Sequence, residues 1–253
     1  MTVLMYHAVI EDSSEVPADR DIGADLYDLP LKSFIGQMEF LKKNSIEVAK
    51  IEEALSQKPQ AVVLTFDDGE QNNFTQAFPV LRQFGFPAYF FVTVNRVGKK
   101  GYMGWEELRQ LVKGGMLVGS HGLGHEILAG LSQADMEKEL KESRNILEKA
   151  LGVPVKYFSV PRGFYDERGV FAAQSAGYQK ILVSRSAQPS NPFCMGRIVV
   201  KGDWPLKRFK LALSGKTPWP EVFFEKIKDV VKCGVGSENY NRLRNTFLKS
   251  KQS

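Results

Sequence analysis

The sequence of 253 residues is poor in the side chains that most often cross-link chains or bind metals, with two cysteines and three histidines. Cys194 and Cys233 allow at most one disulfide, which excludes a disulfide scaffold. They also lack the CxxC spacing that is typical of zinc knuckles and thioredoxin-like sites. Histidine chemistry is therefore restricted to His7, His121 and His125.

Long hydrophobic runs are missing as well. The longest, FPAYFFVTV at residues 86–94, is far shorter than the roughly 20 residues needed to cross a bilayer. The N-terminal stretch MTVLMYHAVI has no cationic flank and contains a histidine, unlike a signal peptide. Taken at face value, these features predict a cytoplasmic or membrane-peripheral protein without a transmembrane segment.

Composition and charge are those of an ordinary globular chain, with 43% hydrophobic and 25% charged residues, so a disordered or fibrous class is excluded. Residues 201–253 contain 12 Lys+Arg against 5 Asp+Glu. This basic segment is a candidate contact for an anionic membrane or a lipid-linked glycan, and a solvated helical face is the alternative. No nucleic-acid module is recognisable, and we expect no nucleic-acid partner.

Short apolar runs alternate with amphipathic runs along most of the chain. Predicted strands cover 2–9, 46–49, 61–66, 87–94, 116–120, 156–160, 179–183 and 197–200, and predicted helices cover 31–43, 50–57, 72–84, 104–114, 132–151 and 166–176. This alternation indicates βαβ units, and its density favours a parallel barrel whose chemistry lies in loops after the strand ends. Residues 11–30 and 184–196 are predicted to be exposed loops.

The C-terminal part breaks this alternation. Helices are predicted at 205–213, 219–232 and 238–249. We therefore divide the chain into a barrel of residues 1–204 and a basic helical extension of residues 205–253.

Two adjacent carboxylates, Asp67 and Asp68, follow an apolar strand in TFDDG. Such a pair is costly to bury unless it is paired or metal-bound. At a strand-to-loop turn both side chains can face one mouth, so that one binds a metal and the other stays available as a base. The alternative is an ordinary Asp-Gly turn or helix cap.

His121 and His125 bracket two glycines in HGLGH after another apolar strand, which predicts a loop rather than a regular helix. Two histidines and one aspartate would supply three ligands for Zn²⁺ and leave a fourth position open, as in catalytic zinc sites. The remaining aspartate could then act as general base, an arrangement suited to metal-assisted hydrolysis of an acyl group. Two unrelated core histidines are the alternative.

At this point the sequence resembles a known family. TFDDG at 65–69, HGLGH at 121–125 and VPRG at 160–163 are similar to the first three motifs of the polysaccharide deacetylases, carbohydrate esterase family 4, and the resemblance covers roughly residues 3–200. It implies a distorted (β/α)7 barrel, here with a helical C-terminal appendage. It also implies Asp67 as catalytic base and Asp68, His121 and His125 as ligands of Zn²⁺ or another divalent metal such as Co²⁺ or Ni²⁺. The backbone N–H of Arg162 would hold the oxyanion.

The sequence departs from the family pattern at two places. Ser159 stands where the family usually has an arginine that orients the base, and Arg162 and Arg197 are candidates to replace it. No histidine follows His125, although the family usually has a late one as general acid. LMYHAV at 4–9 resembles the N-terminal Tyr-His feature of poly-N-acetylglucosamine N-deacetylases, which implies His7 as the acid. A hydrogen-bonded core histidine is the alternative for His7.

The function that the resemblance implies is metal-dependent removal of N-acetyl groups from N-acetylhexosamine units of a poly- or oligosaccharide. Two alternatives stay open. An O-acetyl esterase acting on an acetylated glycan could use the same residues. A catalytically degenerate barrel that binds glycan is the non-enzymatic alternative, favoured by Ser159 and by the missing late histidine.

Overall fold

The computed structural model describes residues 1–11, 16–184 and 188–214. The helices predicted at 219–232 and 238–249, Cys233 and most of the basic segment lie outside these residues. The proposed contact of that segment with an anionic partner therefore stays a prediction.

The described residues form ten strands and seven α-helices. The strands are β1 Thr2–Tyr6, β2 Val9–Ile10, β3 Leu29–Pro30, β4 Val62–Phe66, β5 Ala88–Val92, β6 Leu117–Ser120, β7 Tyr157–Ser159, β8 Lys180–Val183, β9 Cys194–Gly196 and β10 Ile198–Val199. The helices are α1 Leu31–Lys43, α2 Ile51–Ser56, α3 Phe78–Phe84, α4 Trp105–Lys113, α5 Gln133–Leu151, α6 Glu167–Ser175 and α7 Leu206–Leu213. Each predicted helix before residue 177 is present, and α5 has the expected signals at its ends. Ser132 caps its first turn through the Asp135 N–H, and Gly152 ends it in a left-handed conformation.

Eight parallel strands form one sheet in the order β10-β1-β4-β5-β6-β7-β8-β9. Residues 194–199 close it, because β9 pairs with β8 while β10, just beyond Arg197, pairs with β1. This segment serves as a seventh strand that is split between its two neighbours. The expected distorted (β/α)7 barrel is thereby confirmed.

Successive strand residues belong to two different hydrophobic clusters, as the two-residue period of a barrel requires. Leu64, Phe90 and Phe158 pack with helix residues in the larger cluster outside the sheet. Their neighbours on the other face fill the barrel interior, among them Val3, Val63, Tyr89, Phe91, Tyr157, Leu182 and Met195. Inward and outward positions can therefore be assigned along every strand up to the mouth.

Some predicted elements differ from the structure. Residues 46–49 form no strand, and only Val48 makes an isolated bridge to Val62. The predicted loop at 184–196 contains β9, which the surrounding serines and prolines concealed. The predicted loop at 11–30 contains β3 and a 3₁₀ turn at Ala24–Tyr27.

Helix α7 confirms the helix predicted at 205–213, and it packs on the barrel. Its Phe209 is fully buried and meets Phe40 of α1 edge-to-face, with ring centroids 6.3 Å apart. The boundary between residues 1–204 and 205–253 stays a prediction. Among the described residues, no helix combines the length and apolar character needed to cross a bilayer.

Candidate active site

The polar residues of the candidate site share one side of the barrel wall. Counting by twos from buried interior residues leads to His7 after β1, Asp67 after β4, His121 after β6, Ser159 in β7 and Arg197 after β9. Because all of these strands are parallel, their carboxyl ends open at one mouth. The candidate site therefore lies where barrel enzymes carry their chemistry.

Asp67 is almost completely enclosed at this mouth, with 2% of its surface exposed. Arg197 donates two parallel hydrogen bonds to it, from Nη1 to Oδ1 at 2.7 Å and from Nη2 to Oδ2 at 2.8 Å. Ser159 Oγ donates a third, to Oδ2 at 2.9 Å. Burial alone would raise the pKa of Asp67, but the charge of Arg197, with smaller effects of His121 and His7, holds it below the usual value. Asp67 is therefore a buried, ionised carboxylate.

Of the two arginines named as candidates to replace the one expected at Ser159, Arg197 is the one that binds Asp67. It is fully buried, and its Nη2 also donates to Ser159 Oγ at 2.8 Å while Nη1 donates to Thr65 Oγ1 at 3.2 Å. Arg162, the other candidate, pairs with Asp21 instead. The alternation of inward and outward residues could have identified Arg197. It lies two residues after the inward Met195, and an arginine at such a position needs a buried anion.

The second carboxylate lies with the two histidines of HGLGH. Asp68, His121 and His125 each offer one ligand atom, and these three atoms lie within 4.8 Å of one another. His125 Nε2 is 3.3 Å and His121 Nε2 is 3.8 Å from Asp68 Oδ1. Two imidazole nitrogens and a carboxylate oxygen are a donor set that suits Zn²⁺. The residues present therefore fit a divalent metal.

Both ends of this cluster depend on unusual backbone conformations. Asp68 has φ 73° and His125 has φ 65°, in the left-handed region that residues other than glycine seldom adopt. Such strain concentrates at functional sites, where the surrounding structure imposes it. Asp68 and His125 are two such positions.

Each histidine of the cluster is oriented through its Nδ1 atom. His121 Nδ1 is 2.8 Å from the main-chain oxygen of Ser159, and His125 Nδ1 is 3.2 Å from Asp21 Oδ2. Partners of this kind fix the ring and leave Nε2 for a metal. Burial lowers the pKa of His125 to about 4 against the opposing effect of Asp68. Its imidazole is therefore neutral near pH 7, as metal ligation requires.

Two further groups support the cluster. Arg96 Nη1 lies 2.9 Å from Asp68 Oδ1, and its guanidinium lies over the Tyr102 ring. Glu139 of α5 accepts the Gly124 N–H at 2.8 Å. A side chain at Gly122 would put its Cβ 2.5 Å from Glu139 Oε1. Any other residue would have to displace this carboxylate, and the φ of 85° at Gly122 also favours glycine.

His7 comes directly after β1, opposite Asp67 in the parallel register that pairs Tyr6 with Phe66. Its ring stacks on Tyr27 at 4.8 Å, and its main-chain oxygen accepts from Asn73 Nδ2 at 2.7 Å. Nδ1 is buried without a hydrogen-bond partner among the described residues. Burial lowers the pKa of His7, although Asp68 and Asp67 oppose this effect. The structure therefore brings His7 to the same mouth as the two carboxylates.

Arg162 lies in a 3₁₀ turn at Pro161–Gly163 with φ 55°. Its side chain binds Asp21, with Nη2 2.7 Å from Oδ1 and Nε 3.3 Å from Oδ2. Asp21 therefore contacts both Arg162 and His125. Sequence reasoning missed Asp21, because Asp21 is one of several acidic residues in a segment that was predicted to be an exposed loop.

The chain is similar in sequence to several known proteins. The sequence profile of the polysaccharide deacetylases matches residues 54–181. A putative polysaccharide deacetylase of Bacillus subtilis is 28% identical over 186 residues, which cover 71% of this chain and 62% of that protein. A peptidoglycan-N-acetylglucosamine deacetylase of Bacillus cereus is 30% identical over 129 residues, 51% of this chain and 58% of that protein. The chain thus spans about three fifths of the length of these two relatives.

Another relative is the poly-β-1,6-N-acetyl-D-glucosamine N-deacetylase of Staphylococcus aureus, 24% identical over 201 residues, with 70% of this chain and 69% of that protein covered. Among solved structures, a polysaccharide deacetylase from Bacillus cereus has a TM-score of 0.74 at 25% identity, covering 84% of this chain and 68% of that chain. IcaB from Ammonifex degensii has a TM-score of 0.68 at 23% identity, covering 85% and 97%. The latter similarity supports the fold.

Proposed function

We propose that this chain, which belongs to the polysaccharide deacetylase family, is a metal-dependent hydrolase that removes N-acetyl groups from N-acetylhexosamine units of a glycan. The observation that carries the proposal is that two groups of polar residues lie side by side at one mouth of the barrel. The ionised Asp67 is held by Arg197, and the adjacent Asp68 lies with His121 and His125. A general base beside a metal-binding cluster suits hydrolysis of an acyl group.

Asp68, His121 and His125 would hold the metal, which we propose to be Zn²⁺ or another divalent ion such as Co²⁺ or Ni²⁺. A metal there would supply a Lewis acid for water and for the acetyl carbonyl. Asp67 would accept the proton of the attacking water. Arg197 and Ser159 keep that carboxylate ionised and fixed in orientation.

Arg162 and His7 complete the proposed chemistry. The Arg162 N–H would donate to the oxyanion that forms on the carbonyl oxygen. Arg162 lies in a 3₁₀ turn, and Asp21 anchors this turn by binding the Arg162 side chain. His7 would deliver a proton to the leaving nitrogen, since an amine needs protonation to depart. The names of the relatives from S. aureus and B. cereus support N-acetyl glycans as substrates.

The test is acetate release from N-acetylglucosamine oligomers and from acetylated xylan, with chelated protein and after addition of Zn²⁺ or Co²⁺. We expect metal-dependent release from the N-acetyl substrate. Asp67→Asn should lower the rate by about 10²- to 10⁴-fold, the usual contribution of general base catalysis, while retaining the metal. Normal activity of this variant would contradict the base assignment. Release from xylan alone would indicate an O-acetyl esterase, and an inactive protein that binds no metal would indicate a glycan-binding module.

A further inference from the structure

One carboxylate outside the proposed catalytic set contacts two of its members. Asp21 Oδ2 is 3.2 Å from His125 Nδ1, and Asp21 Oδ1 is 2.7 Å from Arg162 Nη2. Asp21 thus links a candidate metal ligand to the turn that carries the candidate oxyanion donor.

The neighbouring residue anchors Asp21 to the barrel. Arg20 Nε lies 2.8 Å from Glu70 Oε1, and Arg20 Nη1 donates to Asp28 Oδ2 at 2.9 Å. Glu70 is 1% exposed and comes two residues after Asp68. Asp21 is therefore held on both sides, by Arg20 on the chain and by its own two partners.

The two histidines of the cluster differ in what orients them. His121 is held by the main-chain oxygen of Ser159 inside the barrel, whereas His125 is held by a side chain from a distant loop. A carboxylate or carbonyl oxygen beside the second ring nitrogen of a ligating histidine orients the ring, and its loss typically weakens metal binding about 10- to 100-fold. Side-chain substitution can remove the partner of His125, while the partner of His121 is part of the backbone.

We propose that Asp21 is a positioning residue, which sets the ring of His125 for metal binding and holds the Arg162 turn beside it. This inference rests on the proposed function, because it assigns the metal to the cluster of Asp68, His121 and His125. It gives the segment around Asp21 a role in assembling the site.

The test measures Zn²⁺ and Co²⁺ affinity by competition with a chelator, together with the absorption spectrum of the Co²⁺ form. Asp21→Ala should weaken binding about 10- to 100-fold and change the Co²⁺ spectrum. Asp21→Asn keeps an acceptor without the charge and should have an intermediate effect. The matched control is Asp25→Asn, which removes an exposed carboxylate from the same loop and should bind like the wild type.

The outcomes separate the two hypotheses. If Asp21→Ala and Asp21→Asn match Asp25→Asn in affinity and spectrum, the positioning role is wrong and the proposed function stands. If Asp21→Ala does not fold, Asp21→Asn decides by the same comparison. His121→Ala locates the metal. If it binds as tightly as the wild type, or if the wild type binds nothing, the metal site and the role of Asp21 both fail.

Discussion

Two adjacent carboxylates in this site are held by different parts of the molecule. Asp67 is fixed from within the barrel by Ser159 of β7 and by Arg197 between β9 and β10, both fully buried. Asp68 lies in a cluster held by loops, where it and His125 adopt positive φ values. The part of the site around Asp67, the proposed base half, is thus buried within the barrel. The part around Asp68, the proposed metal half, depends on loops that other side chains position.

The largest effect should come from removing the cation of the base half. Arg197→Met leaves the Asp67 carboxylate buried without its partner, and we expect a loss of about 3–5 kcal/mol in the free energy of unfolding. Activity should fall with it, because the base would lose its orientation and take up a proton. Chemical denaturation, followed alongside acetate release, measures both effects.

The double variant Arg197→Met/Asp67→Asn serves as the control. It removes both charges, so much of the lost stability should return while activity stays absent. Arg197→Lys should be intermediate, since an ammonium cannot donate the same two parallel bonds. If Arg197→Met alone is as stable as the wild type, the contrast between the two halves is wrong.

The next effect should come from His7, which belongs to neither half. Because His7 is the proposed acid, His7→Ala should lower the rate by about 10²- to 10⁴-fold and leave metal affinity unchanged. Tyr27→Leu removes the ring that stacks on His7 and should cause a smaller loss. Acetate release and chelator competition on each variant provide the test.

A His7→Ala protein that does not fold would support the core-histidine interpretation instead. Tyr27→Leu then distinguishes a catalytic His7 from a core histidine. A loss of rate without a loss of stability is expected only if the position of His7 matters for turnover. Equal rates for wild type and Tyr27→Leu would leave the stack without a catalytic role.

The same contrast explains how far sequence reasoning reaches. The alternation of apolar strands with amphipathic helices predicted the barrel, because each of these patterns is a local property of the sequence. The sequence also offered Arg197 as a candidate partner of the base. The contact of Arg197 with Asp67, however, depends on closure of the barrel by residues 194–199. Asp21 had no local signal, since a loop that returns to the mouth is defined only by tertiary contacts.

The smallest effect concerns a buried acid behind the metal half. Glu139 accepts main-chain N–H groups of the loop between His121 and His125, including that of Gly124. Burial raises its pKa in spite of these hydrogen bonds. Glu139→Gln should change the free energy of unfolding by about 1 kcal/mol and weaken metal binding less than Asp21→Ala does.

The pH dependence of this variant carries a sign that can be checked. A raised pKa means that the folded protein binds the proton of Glu139 more tightly than the unfolded chain does. The stability of the wild type relative to Glu139→Gln should therefore decrease as the pH rises above about 4.3, the ordinary pKa of glutamate. Denaturation series between acid and neutral pH measure this difference. An increase with pH would mean that the loop N–H groups outweigh burial, and that the metal half is held by charge as firmly as the base half.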